Sequence, residues 1–298
     1  MQVGSPGPVG SRRRLGTELR RLRTGAGLHL DQVAARLGCS TSKVSRLETG
    51  KGVPKAADVR ELIEIYEVSA ETERDMLLRL VRESRAEGWW EPYTEGVRPE
   101  RIFLDAPGRY AALETDAVGL RAFDLTVLHG LLQTEDYTRA VLVGQLPHHV
   151  RREIDQLVEL RLRRQEALHR PEPLRLDVVV DESVLARTVG DRTVMAAQMR
   201  RLLEMAELPT VTLRVFPFGA GTVRAHMGHF VILDIPDDLG STVVYSEGHA
   251  GETFLDGASD VDVYDDVFTE VRGRALAPRA SCDLVRRYLD DPGRAHSP

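Results

Sequence analysis

GLHLDQVAARLGCSTSKVSRLETG, residues Gly27–Gly50, has the pattern of two short helices joined by a tight turn. Apolar residues recur at helical spacing on both sides of Gly38, which lacks a Cβ and suits the left-handed backbone of such a turn. Ser40 follows as an N-cap, because its hydroxyl can accept a backbone N–H of the next helix. The second helix is predicted over Thr41–Glu48, and the whole stretch is therefore a helix-turn-helix.

The two sides of the predicted helix Thr41–Glu48 differ in chemistry. At about 100° per residue, Val44 and Leu47 point toward a core. The opposite side carries three hydroxyls and one guanidinium, from Thr41, Ser42, Ser45 and Arg46. A helix held by its apolar side, with a polar side left free, is typical of recognition helices in the DNA major groove. We therefore predict that these four residues contact bases, with Arg46 able to bind guanine O6 and N7 through both fork nitrogens.

Positive charge is concentrated around this motif. Residues 1–60 hold nine Arg and three Lys against two Asp and two Glu, a formal charge of +8. The rest of the chain carries −14, which gives the overall net charge of −6. A basic head on an acidic body fits phosphate attraction confined to one domain. Lys43, Lys51 and Arg20 are placed to contact phosphates, which set register without reading sequence.

The segments around the motif complete an all-α five-helix head. Leu15–Thr24 has apolar residues three and four apart, a helix can start at Pro54, and Ala70–Arg85 opens with acidic residues that suit a helix N-terminus. The first 14 residues are rich in Pro, Gly and Arg and predict a flexible basic arm; entry of Arg12–Arg14 into a minor groove is the alternative.

The stretch Leu15–Val68 resembles the helix-turn-helix of phage-repressor and xenobiotic-response-element (XRE) regulators. The resemblance is carried by Val44–Glu48 (VSRLE) and by Gly50–Lys51. It implies that Arg23 and Glu48 form a structural ion pair between the first and third helices, and that neither residue reads bases.

Beyond the head, strand-like and helical patterns alternate and predict a single α+β domain. The cluster Trp89, Trp90 and Tyr93 precedes it and predicts packing at a domain junction, with a ligand pocket as the alternative. The arginine run Arg161–Arg164 (RLRR) is predicted to lie on a solvated helix face. The domain boundaries that we predict are: arm 1–14, helix-turn-helix domain 15–86, junction 87–104, α+β domain 105–291 and tail 292–298.

Several stretches of the body resemble the C-terminal domain of unknown function found behind helix-turn-helix heads in actinomycete regulators of the WhiJ-like group. They include GLLQTEDYTRAV (130–141), LLEMAELPTVTLRVFPFGAG (202–221) and VVYSEGHAGETFL (243–255). The resemblance implies a cytoplasmic transcriptional regulator, often encoded beside a small partner protein. It leaves the effector, and so the ligand-binding residues, undefined.

Catalytic and metal-binding patterns are weak. His226, His229 and Asp234 loosely resemble a phospholipase-D-type phosphodiesterase site, but Gly228 stands where such a site needs a lysine and no second copy is present. Walker, dinucleotide-binding and nucleophile-elbow motifs are absent from the sequence. We therefore predict no enzyme activity, no catalytic residues, no metal and no cofactor. Loop histidines without a catalytic role are the favoured interpretation.

The sequence also limits the compartment. No apolar run approaches the roughly 20 residues that cross a bilayer. Cys39 and Cys282 lie far apart and lack metal-ligand spacing, as expected of a reduced cytoplasmic protein. The start has no secretory-signal pattern.

Together these patterns predict a sequence-specific transcriptional regulator that binds double-stranded DNA as a homodimer. Its body is expected to supply the dimer contact, a pocket for a small-molecule effector or a surface for a small partner protein. An antitoxin-like protein that captures a partner and regulates its own gene is the main alternative. A phosphodiesterase using His226 and His229 is the third hypothesis.

Overall fold

The computed structural model describes residues 8–50, 52–97, 107–236, 242–248 and 251–291. The chain divides into two compact units, Met1–Glu91 and Pro92–Pro298. Some expected segments lie outside the described residues. They are the first half of the arm, Lys51, the later part of the junction and the tail 292–298. Within the ranges above, no helix is both long and apolar enough to cross a bilayer.

The first unit contains five helices in the order that the sequence predicts. Their bounds are α1 Pro8–Gly25, α2 Leu30–Arg36, α3 Thr41–Glu48, α4 Ala56–Ile65 and α5 Glu71–Glu83. Helix α1 begins seven residues before the predicted Leu15, so residues 8–14 of the expected arm are helical. Proline is compatible with a first helical turn, and the buried Ser11 hydroxyl donates to Glu83 at 3.1 Å. Three consecutive arginines hide this helical turn from hydrophobic periodicity.

One apolar cluster holds the five helices together. Each helix contributes at least two buried side chains to it, such as Leu15 and Leu19 from α1 or Val44 and Leu47 from α3. Val44 is fully buried, so the third helix is fixed by its apolar side as the pattern predicts. Burial of such side chains stabilises the unit by about 1.5–3 kcal/mol each before entropy is subtracted.

The second unit is built on six strands with helices between and after them. The strands are β1 Gly119–Asp124, β2 Arg175–Asp181, β3 Val211–Phe216, β4 Phe230–Asp234, β5 Thr242–Gly248 and β6 Gly251–Leu255. The helices are α6 Glu91–Thr94, which straddles the boundary between the units, α7 Pro107–Asp116, α8 Glu135–Gln145, α9 Arg151–Arg164, α10 Glu182–Ala186, α11 Arg192–Met205, α12 Ala258–Arg274 and α13 Pro278–Asp290.

The strands form one mixed sheet in the order β3-β2-β1-β4-β5-β6. β1, β2 and β3 are parallel, and the helices α8 to α11 lie in their crossover connections. β4, β5 and β6 are antiparallel, and β1 joins the two halves by pairing with β2 on one side and β4 on the other. Helix α12 packs against β1, β3, β4 and β5. It buries Phe268 and Val271 against Phe123 and Phe230.

The predicted fold class is confirmed: an all-α five-helix helix-turn-helix head is followed by an α+β domain. Helix α3 has the predicted bounds. Helices α6, α7 and α10 were not predicted, because short or Ala-rich segments carry little periodic signal. The sheet order was not predicted either, since strand pairing depends on residues that are far apart in the chain.

Candidate nucleic-acid interface

The turn between α2 and α3 is built from local hydrogen bonds around one glycine. Gly38 has a φ of +62°, in the left-handed region that favours glycine. The Cys39 N–H donates to the Ala34 carbonyl at 2.9 Å and closes the end of α2. Ser40 then caps α3, its hydroxyl accepting the Lys43 N–H at 3.2 Å. The path of the chain into α3 is thus set by the three residues before it.

The polar side of α3 is free. Thr41, Ser42 and Arg46 are exposed and Ser45 is half-buried. The Arg46 side chain forms no hydrogen bond or ion pair with any part of the chain that the structure describes. The four side chains predicted to contact bases therefore lie on one helix, with three of them fully accessible to a ligand.

A buried ion pair ties α3 to α1. Arg23 donates two hydrogen bonds to the Glu48 carboxylate, at 2.6 and 3.0 Å, and a third to the Leu28 carbonyl at 2.9 Å. The Glu48 side chain is only 2% exposed and that of Arg23 12%. The Glu48 hydrogen bonds raise the pKa of the Arg23 guanidinium above its usual value, so this side chain stays charged. The two residues thus join α1 to α3 directly.

The basic residues predicted to contact phosphates differ in their surroundings. Lys43 Nζ lies 2.8 Å from Asp58 Oδ2, a contact between α3 and α4 that the sequence did not predict. The Asp58 hydrogen bond raises the pKa of Lys43. Arg20 is mostly exposed, with Nε 3.6 Å from Glu48 Oε2. Lys51 lies outside the described residues. Lys43 must therefore exchange or share Asp58 to reach a phosphate, whereas Arg20 is already accessible.

Helix α1 crosses the end of α3 so closely that only glycine fits. A Cβ added at Gly16 would lie 2.6 Å from the Leu47 carbonyl oxygen and 2.7 Å from that of Glu48. Both atoms belong to the backbone of α3 and cannot move without shifting the helix. Gly16 and the Arg23–Glu48 pair therefore act at two points along α1 to fix the orientation of α3.

The substitution Gly16→Ala is expected to destabilise the first unit by about 1 kcal/mol. Overpacking costs about 1–3 kcal/mol, and the better helix propensity of alanine offsets about 1 kcal/mol of it. Urea unfolding checks this. Gly25→Ala is the matched control, since nothing lies within 4 Å of its added Cβ; it should leave stability unchanged or raise it slightly. Equal effects of the two substitutions would contradict the close crossing.

Two family comparisons agree with this architecture. Residues 14–78 match the model of a helix-turn-helix domain. Residues 107–287, more than half of the chain, match the model of a domain of unknown function, DUF5753. The chain belongs to the DUF5753 family. No curated protein and no solved structure matches it.

The structure separates the DUF5753-domain residues that loosely resembled a phosphodiesterase site. Each has a different partner: His226 Nε2 lies 3.1 Å from Asp181 Oδ2, His229 Nε2 lies 3.7 Å from Glu247 Oε2, and Asp234 Oδ1 lies 2.9 Å from Arg121. His229 and Asp234 flank opposite ends of β4. In the described ranges, no three His, Cys, Asp or Glu side chains converge as a metal-binding group.

The prediction that Arg161–Arg164 lies on a solvated face is wrong for two of its members. Arg164 Nε and a terminal nitrogen donate to the buried Glu114 at 2.7 and 2.8 Å, and Arg161 donates to Gln133 at 3.1 Å. Both lie on the inward face of α9 that includes Ile154 and Leu157, with Arg161 four residues after Leu157 and Arg164 three residues later. Hydrophobic periodicity does not reveal this orientation, because it registers apolar residues and not arginines. Only Arg163 of the three points to solvent.

Proposed function

We propose that this DUF5753-family chain is a sequence-specific, DNA-binding transcriptional regulator of the XRE type, acting as a cytoplasmic homodimer without enzyme activity. The observation that carries the proposal is the free polar side of α3. Its apolar side is buried, its orientation is set from α1, and Arg46 has no partner in the described chain. The match of residues 14–78 to a helix-turn-helix domain supports the same function.

The proposed contacts divide into two classes. Thr41, Ser42, Ser45 and Arg46 read base edges from α3, and Arg46 contributes the most discrimination because its fork matches guanine. Lys43, Lys51 and Arg20 contact phosphates and add sequence-independent affinity. The concentration of +8 in residues 1–60 supports this division, since the basic charge lies in the same unit as the recognition helix.

Dimerisation follows from how little sequence one recognition helix reads. A single helix-turn-helix contacts a few base pairs, and two copies on half-sites about 34 Å apart multiply the discrimination. We assign the dimer contact and the response to a signal to the DUF5753 domain. A selection of bound sequences can define the operator.

Selection from a random duplex pool tests the proposal with the full-length protein. At low salt it is expected to enrich a palindromic motif with half-site centres one helical turn, or a multiple of one, apart. Light scattering should give twice the 33.2 kDa mass of one chain. Failure to enrich any motif would overturn sequence-specific DNA binding. An enriched single half-site bound by a monomer would overturn the dimer alone.

A further inference from the structure

The DUF5753 domain contains a cavity of about 430 Å³ at the carboxyl end of β1. β1 pairs there with parallel β2 on one side and antiparallel β4 on the other. Residues that immediately follow β1 line the cavity, together with side chains from α7, α9, β4 and β5. In open α/β sheets, ligands bind in the crevice outside the carboxyl ends of strands, where the direction of strand connection changes. Both size and position are therefore those of a small-molecule site.

Arg161 brings an incompletely compensated cation into this cavity. Its only hydrogen bond within the described residues goes to the Gln133 side-chain oxygen at 3.1 Å, and no described carboxylate lies within 4.0 Å of it. Burial, reinforced by the nearby Arg164, lowers the pKa of Arg161 to about 10. By contrast, Arg164 is matched by Glu114, which it grips with two hydrogen bonds. A half-buried guanidinium without an anion is less favourable than a paired one, so a ligand anion would stabilise it.

The neighbouring acid at the end of β1 is neutral at pH 7. Burial raises the pKa of Asp124 to about 8, although a hydrogen bond from the His129 N–H at 2.6 Å opposes the shift. His129 is neutral too, because burial lowers its pKa to about 4. Its Nδ1 accepts the Leu131 N–H at 3.3 Å, and its Nε2 lies 3.2 Å from the Tyr110 hydroxyl. Asp124 can thus offer an O–H to the cavity without repelling an anion.

Apolar surface makes up much of the remaining wall. The rings of Tyr110 and Tyr245 pack with centroids 4.4 Å apart. Beside them a recess of about 60 Å³ is lined by the leucines Leu142, Leu146, Leu157 and Leu160 and, on its polar side, by Glu247 and Glu252. Arg161 borders both spaces. A ligand held at Arg161 would therefore meet aromatic and aliphatic carbon.

The cavity also holds one anion, which limits the ligand's charge. Glu247 accepts a hydrogen bond from the Tyr245 hydroxyl and lies within 3.7 Å of His229. It is too far from Arg161 to form a salt bridge, yet near enough to disfavour a dianion such as a phosphate monoester. A carboxylate carries a single charge and matches the fork of a guanidinium.

We propose that this cavity binds an organic monocarboxylate with an aromatic or aliphatic body, its carboxylate held by the guanidinium of Arg161. The proposal concerns the second unit alone and does not depend on DNA binding. If the chain is the regulator proposed above, such a molecule is its effector.

Binding is tested by calorimetry on full-length protein with benzoate, 4-phenylbutyrate and octanoate. At least one carboxylate should bind. Its affinity should fall at least tenfold in Arg161→Met and in Arg161→Lys, which keeps the charge but loses the fork. Benzamide, 4-phenylbutanol and phenyl phosphate should bind at least tenfold more weakly than the matching carboxylates. Absence of binding by all three carboxylates, equal binding by the Arg161 variants, or tighter binding of phenyl phosphate would each overturn the proposal.

The stability of the ligand-free protein gives a readout that needs no ligand. Arg161→Met removes the uncompensated cation and leaves Gln133 its bond from Thr138 at 2.9 Å. It should raise the melting temperature, by about 2 °C. Arg164→Met is the matched control and should lower it, because Glu114 is left buried and unpaired. A fall in both variants would show that Arg161 is structural and would overturn the proposal.

Discussion

Replacing Glu48 by alanine is expected to lower the free energy of unfolding of the helix-turn-helix unit by about 3–5 kcal/mol, because it leaves a buried charge without its partner. The carboxylate accepts two hydrogen bonds from Arg23, and both side chains are almost inaccessible. Once it is removed, Arg23 keeps only its bond to the Leu28 carbonyl.

Tryptophan fluorescence during urea unfolding measures this effect in the full-length protein. Trp89 and Trp90 are the only tryptophans of the sequence, and both lie in the first unit, so the signal follows unfolding of that unit. Glu73→Ala is the matched control, since it removes an exposed ion pair with Arg21 and should cost at most about 1 kcal/mol.

A double substitution separates the ion pair from simple packing. Arg23→Met combined with Glu48→Leu removes both charges and keeps apolar volume, so it should recover most of the stability lost in Glu48→Ala. A loss below 1 kcal/mol in Glu48→Ala would mean that the pair contributes little to holding α3.

Replacing Arg46 by alanine is expected to reduce discrimination at one base pair of the site by about tenfold to a hundredfold, equivalent to about 1–3 kcal/mol. The side chain is exposed and forms no hydrogen bond or ion pair within the described residues, so folding stability should not change. Competition binding against singly mismatched duplexes, at several salt concentrations, measures the loss.

Lys51→Ala is the control for Arg46→Ala, because a phosphate contact adds affinity that does not depend on the base sequence. It should weaken all duplexes about equally and reduce the slope of log affinity against log salt by about one. If Arg46→Ala leaves the sequence preference intact, its assignment as a base reader is wrong even if DNA binding persists. If Lys51→Ala changes sequence preference, the division between base and phosphate contacts fails instead.

Local patterns were enough to place the helix-turn-helix unit. The bounds of α3 follow from the Ser40 cap and the spacing of Val44 and Leu47, all of which act within one turn of the helix. The start of α1 was missed because Arg12–Arg14 carry no apolar signal. The Lys43–Asp58 contact was missed because it joins two helices whose packing angle no sequence spacing records.

The DUF5753 domain shows the opposite balance. Runs of β-branched residues mark its strands locally in the sequence, but the cavity could not be predicted. It depends on β1 lying beside β4, more than 100 residues later, which brings His229 and Val231 near Asp124. The inward direction of Arg161 could have been predicted from the sequence, since it lies four residues after the apolar Leu157 on the same helix.

If Lys43 contacts a DNA phosphate as proposed, Asp58 competes with that phosphate for the lysine. On the interface proposed above, any duplex must displace Asp58 before a phosphate can reach this lysine, at a cost of up to about 1 kcal/mol that is independent of base sequence. Sites that also engage the arginine fork recover that cost, whereas arbitrary chromosomal segments do not. An acidic residue of α4 would thereby shorten the time spent on the wrong sequences.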